Sequence, residues 1–94
     1  MKRFRVTWHS DARHDLTQIW LTAADRAAVS DAANRIDVVL SDDPEDAGED
    51  FYGDRILVER PLAVTFTVFA DDRWVQILQV SYRSDVDPRT TSGA

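Results

Sequence analysis

The chain has 94 residues, of which 44% are hydrophobic and 30% charged, with no cysteine and a formal net charge of −6. This length suits one small domain with its own core, and the lack of cysteine excludes a disulfide framework and a thiolate zinc site. The first residues contain no apolar run long enough for a signal peptide or a membrane span. We therefore expect a cytoplasmic protein with no membrane partner.

The negative charge is concentrated in one segment. Seven of the 17 acidic residues lie from Ser41 to Asp54, with no Lys or Arg among them: Asp42, Asp43, Glu45, Asp46, Glu49, Asp50 and Asp54. The other ten acidic residues and the eleven basic residues together give the rest of the chain a net charge of +1. The acidic total therefore does not exclude a nucleic-acid partner that avoids this segment. The segment partly follows calcium-loop spacing, but Ala47 stands at a ligand position and no glutamate closes the loop. We expect a solvated connector, with no metal and no cofactor.

A strand and a helix are predicted first along the chain. Phe4, Val6 and Trp8 alternate with polar residues, as in a half-buried strand. Ser10 suits the N-cap of a helix. The apolar residues of that helix fall on one face at helical spacing: Ala12, Leu16, Ile19, Trp20 and Ala23. We expect Trp8 and Trp20 to pack in the core.

A second helix follows after a gap of only a few residues, which predicts an antiparallel helical hairpin. Asp25 can cap its N-terminus, and Pro44 requires it to stop by Asp43 or earlier. Its inner stripe consists of apolar residues at helical spacing: Val29, Ala32, Ala33, Ile36, Val39 and Leu40.

Three strands complete the prediction. Their expected ranges are Arg55 to Glu59, Leu62 to Phe69 and Trp74 to Tyr82, with turns at Arg60-Pro61 and Asp71-Asp72. The order β-α-α-β-β-β indicates an α+β fold, with the helical hairpin packed on one face of a mainly antiparallel sheet. Residues 1–83 are predicted to form this single domain. Residues 84–94 are polar and aperiodic, so we expect a flexible tail.

The predicted open face of the sheet carries the candidate partner contacts. Arg5, Thr65 and Thr67 are expected on it, and a nucleic-acid contact there is one interpretation of the basic cluster formed by Lys2, Arg3 and Arg5. A solvated strand edge is the other. Trp74 opens a strand that is partly apolar on both faces, so a partner surface is an alternative to the core for its ring.

Three groups of residues match one known pattern, in order along the chain. The first comprises Val6-Thr7-Trp8, Ala12 and Leu16 to Trp20; the second Asp25 to Val29, Arg35-Ile36-Asp37 and Leu40 to Pro44; the third Arg55-Ile56-Leu57, Pro61 to Val64 and Val75 to Val80. With these residues the chain resembles RelE/ParE-type toxins of bacterial type II toxin–antitoxin systems over roughly residues 3–83. The resemblance implies a toxin linked to growth inhibition and plasmid stabilisation, and an antitoxin protein that wraps and neutralises it.

The resemblance also implies two possible actions. RelE-like toxins are metal-independent ribonucleases that cut mRNA on the ribosome, whereas ParE-like toxins act on DNA gyrase. Cleavage requires cations and a proton-transfer group that converge on one phosphate. On the pattern of the ribonucleases these would be Arg55, Tyr82 and Arg83, but Ala63 stands where another arginine is expected. This departure slightly favours a ParE-like action, with RelE-like cleavage as the alternative and a non-toxic binding protein as the third.

Overall fold

The computed structural model describes residues 3–83, so Lys2 and the predicted tail at 84–94 lie outside the described residues. Two helices pack on a five-stranded sheet, which confirms the predicted α+β architecture. The elements are β1 (Arg5–Trp8), α1 (Ser10–Thr22), α2 (Arg26–Asp42), β2 (Glu49–Phe51), β3 (Asp54–Glu59), β4 (Leu62–Phe69), a 3₁₀ turn (Ala70–Asp72) and β5 (Trp74–Tyr82). Within residues 3–83 no helix is both long enough and apolar enough to cross a membrane.

The strands lie in the order β1-β5-β4-β3-β2. The first strand pairs in parallel with the last, with Val6 opposite Val75, and every other pair is antiparallel. A parallel pair requires a crossover connection. The helical hairpin is part of that connection, and both helices therefore cover the same face of the sheet.

The core lies between the helical hairpin and the sheet. Its buried apolar side chains are Val29, Ala32, Ile36 and Leu40 from α2, at the helical spacing that the sequence predicts, with Leu62, Val64 and Phe66 from β4, and Val75 and Ile77 from β5. Burying one large apolar side chain of this kind contributes about 1.5–3 kcal/mol. Helix α1 adds the buried Ala12, with Leu16 and Ile19 packed against the cluster.

The helix caps are partly as predicted. Asp25 caps α2, because its Oδ1 accepts a hydrogen bond from the backbone N–H of Ala28 at 3.0 Å. The prediction of Ser10 as the cap of α1 is wrong by one residue. Nδ1 of His9 accepts from the N–H of Asp11 at 3.1 Å, and Ser10 is the first residue of the helix.

The acidic segment is not wholly a loop. Glu49–Phe51 forms β2, which pairs with β3 through a tight turn at Tyr52 and Gly53. Both turn residues have positive φ, +50° and +91°, as a type I′ hairpin turn requires. Gly48 precedes the strand at φ +69°, where a Cβ would lie 2.1 Å from the carbonyl oxygen of Ile56. Only glycine allows β2 to approach β3 in this way.

A bulge interrupts the pairing of β4 with β5. Thr65 faces Gln79 and Phe66 faces Ile77, so Leu78 is the extra residue. Beyond the end of β1, the backbone N–H of Val80 donates to Oδ2 of Asp15 on α1 at 3.2 Å. The carboxylate thus occupies a position at the sheet edge that a neighbouring strand would otherwise fill.

The tryptophans differ in their surroundings. Trp8 packs against the core, and its indole N–H donates to Asp37 at 3.1 Å. Trp20 is 39% exposed, and the guanidinium of Arg26 lies 4.5 Å from its ring centroid. The prediction of a core residue therefore holds for Trp8, while for Trp20 it is wrong.

Candidate functional site

Arg55 lies on the helix-covered face of the sheet, at the corner where the loop part of the acidic segment leads into β2. Its side chain is 24% exposed and makes three contacts. Nε donates to the carbonyl oxygen of Ala47 at 3.0 Å, Nη2 to that of Gly48 at 3.1 Å, and Nη1 to Oδ1 of Asp50 at 2.8 Å. The guanidinium therefore holds the acidic segment against the sheet.

Tyr82 and Arg83 lie at the opposite corner. Tyr82 ends β5 opposite Leu62, with half of its surface exposed, and the N–H of Arg83 donates to the carbonyl oxygen of Pro61. This bond places Arg83 beside the turn that carries the exposed Arg60. The side chains of Arg60 and Arg83 form no ion pair with any residue in the range 3–83.

The structure does not bring Arg55 together with Tyr82 and Arg83. Arg55 of β3 pairs with Phe66 of β4, whereas Tyr82 of β5 pairs with Leu62 of β4. Arg55 and Tyr82 are therefore separated by four residues along the strands and by two strands across the sheet. At the usual strand dimensions this corresponds to roughly 16 Å between the Cα atoms of Arg55 and Tyr82. The donors of Arg55 are engaged with the acidic segment, so in this arrangement the three side chains do not converge on one point.

Arg5, Thr65 and Thr67 share the open face, since the neighbouring Val6 of β1 and Phe66 of β4 pack into the core on the other face. Thr67 lies in one cross-strand row with Gln76 and Thr7. The next row contains Trp74 of β5, with Arg5 of β1 on one side and Phe69 of β4 on the other.

The ring of Trp74 belongs to this open face. It stacks on Phe69 with 4.6 Å between ring centroids and 18° between planes, and its N–H donates to Oγ1 of Thr7 at 2.7 Å. The sequence left a partner surface open as an alternative for Trp74. Its stacking partner Phe69, 39% exposed, was not singled out.

Solved structures of similar shape come from toxin–antitoxin systems. A chain of the RelBE2 toxin–antitoxin complex from Mycobacterium tuberculosis superposes with a TM-score of 0.76 at 19% identity, over 90% of this chain and 97% of that one. A chain of the chromosomal ParDE system of P. aeruginosa gives 0.68 at 22% identity, over 87% and 98%. The isolated E. coli RelE toxin gives 0.62 at 10% identity, over 96% and 95%. No protein-family profile matches the chain, and no curated protein matches it.

This is the RelE/ParE toxin fold. Identities between 10% and 22% establish the fold alone, and both RelE and ParE structures are among the similar ones. The chemistry must therefore be judged from the residues that this chain places on the fold.

One row of the RelE/ParE fold bears directly on cleavage. Ala63 faces Val58 on one side and Ser81 on the other, and the three form a cross-strand row on the open face near the Pro61 turn. Ala63 is 2% exposed. The row contains no cation and no side chain suited to general acid–base catalysis. It therefore offers nothing that could neutralise a phosphate at the position where the resemblance expects an arginine.

Two further features of this RelE/ParE fold concern metal-binding side chains and the space between the two helices. Within residues 3–83, no three His, Asp or Glu side chains converge as a metal site. A half-apolar groove of about 320 Å³ lies between α1 and α2, lined by Leu16, Thr17, Trp20, Val29, Ser30, Ala33 and Asn34. Leu16 and Trp20 were predicted as core residues, so nothing in the helical pattern indicated that they line a groove.

Proposed function

We propose that this chain is the toxin of a type II toxin–antitoxin system, which inhibits growth in the cytoplasm until a cognate antitoxin binds it. The fold supports the proposal, because it extends over 87–90% of this chain in comparison with chains from RelBE2 and ParDE toxin–antitoxin systems. Both of those chains are covered almost completely, at 97% and 98%.

The proposed action is ParE-like, directed at DNA gyrase and without RNA cleavage. The observation that carries this choice is the row of Val58, Ala63 and Ser81 on the open face. A metal-independent ribonuclease needs donors at the position where charge develops on the phosphate. The uncharged row of Val58, Ala63 and Ser81 supplies no cation at that place.

RelE-like cleavage of mRNA on the ribosome is the second candidate. It is favoured by the corner at the end of β5, where Tyr82 is exposed. There the backbone hydrogen bond from Arg83 to Pro61 brings Arg83 next to Arg60, the residue before Pro61. In this version Tyr82 transfers the proton and the arginines bind phosphate. Arg55 takes no part, because its donors are engaged with the acidic segment.

The antitoxin is proposed to bind two surfaces. The groove between α1 and α2 exposes the apolar side chain of Trp20 and part of Leu16, with the buried Val29 at its base, which suits the apolar side of an amphipathic helix. The open face with Arg5, Thr65 and Thr67 suits an extended segment that continues from that helix.

The decisive experiment combines growth with two purified reactions. The wild-type chain and a Tyr82→Phe/Arg83→Ala variant are expressed under tight control in bacteria, beside an Arg13→Ala variant as a control for the loss of one exposed arginine on α1. The same proteins are added to DNA gyrase in a supercoiling assay and to ribosomes loaded with mRNA. We expect growth arrest and gyrase inhibition by all three proteins, with intact mRNA.

Other results identify the alternatives. Arrest with cut mRNA that is lost only in the Tyr82→Phe/Arg83→Ala variant would replace the gyrase proposal by the RelE-like one. No arrest by a soluble, folded wild-type protein would reject both toxin mechanisms and leave a binding protein with the toxin fold.

A further inference from the structure

A second groove crosses the open face of the sheet near its centre. It has a volume of about 420 Å³, and we call it the open-face groove. One wall is the β2–β3 hairpin with Phe51, Tyr52 and Asp54, the other is the start of α1 with His9 and Asp11, and the floor is Thr65, Leu78 and Gln79. The bulge at Leu78 locally disrupts the strand pairing beneath it.

The hairpin wall is aromatic and exposed. Phe51 is 44% exposed and Tyr52 is 95% exposed, with their rings 5.0 Å apart in an edge-to-face arrangement. Tyr52 also has φ +50°, which the type I′ turn requires and which is uncommon for a bulky residue. Packing does not account for the ring of Tyr52, which is almost fully open to solvent, while Phe51 leaves nearly half of its surface exposed.

Both walls carry a carboxylate, and no Lys or Arg lines the groove. Asp54 is half-buried, and its side chain forms no hydrogen bond or ion pair with any residue in the range 3–83. Asp11 stands opposite it, 81% exposed, with Oδ2 3.8 Å from Nδ1 of His9. That contact is not an ion pair, because Nδ1 accepts the N–H of Asp11 and the ring therefore carries its hydrogen on Nε2.

We propose that the open-face groove binds an arginine side chain from an extended basic segment of a protein partner. A guanidinium is planar, stacks on aromatic rings, and donates in pairs to carboxylates. The groove offers the rings of Phe51 and Tyr52 together with the carboxylates of Asp11 and Asp54. The same carboxylates repel phosphate, so a nucleic-acid strand is the disfavoured occupant.

This inference deepens the proposed function, because it rests on the chain having a protein partner that acts as its antitoxin. It assigns to that partner an arginine at the position that reaches the middle of the sheet. Arg5 lies on the same face, in the row of Trp74 and Phe69. We therefore expect the partner segment to be basic at the groove and to carry no added positive charge beside Arg5.

The test uses a hexa-arginine peptide, a hexa-lysine peptide and a uridine hexamer as probes of the full ¹⁵N-labelled chain. Hexa-arginine should shift the amide signals of Tyr52, Gly53, Thr65 and Gln79, and hexa-lysine should bind at least threefold more weakly. Equal affinity for the two peptides overturns the arginine assignment. Stronger shifts at these amides from the uridine hexamer overturn the protein partner.

Two groove variants and one matched control separate specific binding from general attraction. Asp54→Asn removes the unpartnered carboxylate, and Tyr52→Asn removes a ring while placing at φ +50° a residue that tolerates it. Each should weaken hexa-arginine binding at least fivefold. Asp46→Asn removes the same charge from the acidic segment outside the groove and should change the affinity less than twofold. An equal loss in Asp46→Asn and Asp54→Asn would refute the groove.

The two proposals fail separately. Binding of hexa-arginine in the groove is measured without any toxic activity, so the result of the binding experiment does not depend on the result of the growth experiment. Growth arrest without peptide binding removes only the arginine groove. Peptide binding without growth arrest keeps the groove and removes the toxin mechanisms.

Discussion

Arg55 and Asp50 form an ion pair of 2.8 Å across β2 and β3, and the same guanidinium binds the carbonyl oxygens of Ala47 and Gly48. The carboxylate of Asp50 is 91% exposed, so the ion pair itself adds little stability. The two carbonyl contacts matter more, because without them the segment loses its attachment to the sheet.

Arg55→Ala should therefore lower the free energy of unfolding by about 1–3 kcal/mol, whereas Asp50→Asn should stay within about 0.5 kcal/mol of wild type. For a domain of this size each kcal/mol lowers Tm by about 4–8 °C. Thermal unfolding followed by circular dichroism measures both. If Arg55→Ala unfolds at the wild-type temperature, the contacts at Ala47 and Gly48 are not what holds the segment.

Asp15 should stabilise the sheet edge through its bond to the N–H of Val80. Asp15→Ala leaves that N–H without its acceptor and should cost about 1–3 kcal/mol. Asp15→Asn keeps an acceptor oxygen and should cost less than half as much. Urea unfolding gives the free energies, and amide hydrogen exchange at Val80 should accelerate in the alanine variant alone. Equal losses in the two variants would show that the charge, not the hydrogen bond, is responsible.

His9 should contribute to the stability of α1 as its cap. Because Nδ1 accepts the N–H of Asp11, His9→Ala should cost about 1 kcal/mol in urea unfolding. His9→Asn supplies a side-chain oxygen at the same place and should restore most of that loss. An asparagine variant as unstable as the alanine variant would contradict the capping role.

Gly48 and Gly53 form a matched pair for steric tests. Both have positive φ, but a Cβ at Gly48 would meet the carbonyl of Ile56 at 2.1 Å, whereas a Cβ at Gly53 meets nothing within 4 Å. Gly48→Ala should therefore cost about 1–3 kcal/mol more than Gly53→Ala, since only the former adds a clash to the backbone strain. Similar stabilities of the two variants in urea unfolding would show that β2 can move away from β3.

The elements in which apolar residues repeat regularly over many positions could be predicted from the sequence. Val29, Ala32, Ile36 and Leu40 recur at helical spacing, and β4 alternates over eight residues, so the burial of one side of each element follows from the pattern. Strand β2 was missed because it has only three residues, too few to show alternation, and two of them, Glu49 and Asp50, have low strand propensity. It exists because Gly48 and the Tyr52–Gly53 turn bring it against β3.

The candidate sites were harder to predict because they depend on register. Arg55 was identified through the resemblance as a candidate cation at the start of a predicted strand, but the adjacent apolar residues Ile56 and Leu57 do not show which face of the sheet it joins. Pairing with Phe66 turns it to the side of the helices. The open-face groove joins residues from four strands and the start of α1, and the sequence carried one local signal for it. That signal was Tyr52-Gly53 at the end of the acidic segment, which marks a tight turn that exposes a ring.

The parallel pairing of β1 with β5 also governs how the chain folds. The strand that joins β1 to the rest of the sheet is the last one described along the chain, so its contacts span separations of nearly 70 residues, as from Arg5 to Trp74. Contacts of such long sequence separation slow folding, because loop closure precedes the stabilising interactions. A growing polypeptide that has not yet reached Trp74 has no strand to which β1 can pair. During translation β1 therefore stays outside the sheet, and the face that it shares with β5 stays incomplete, until almost all of the described domain has been synthesised.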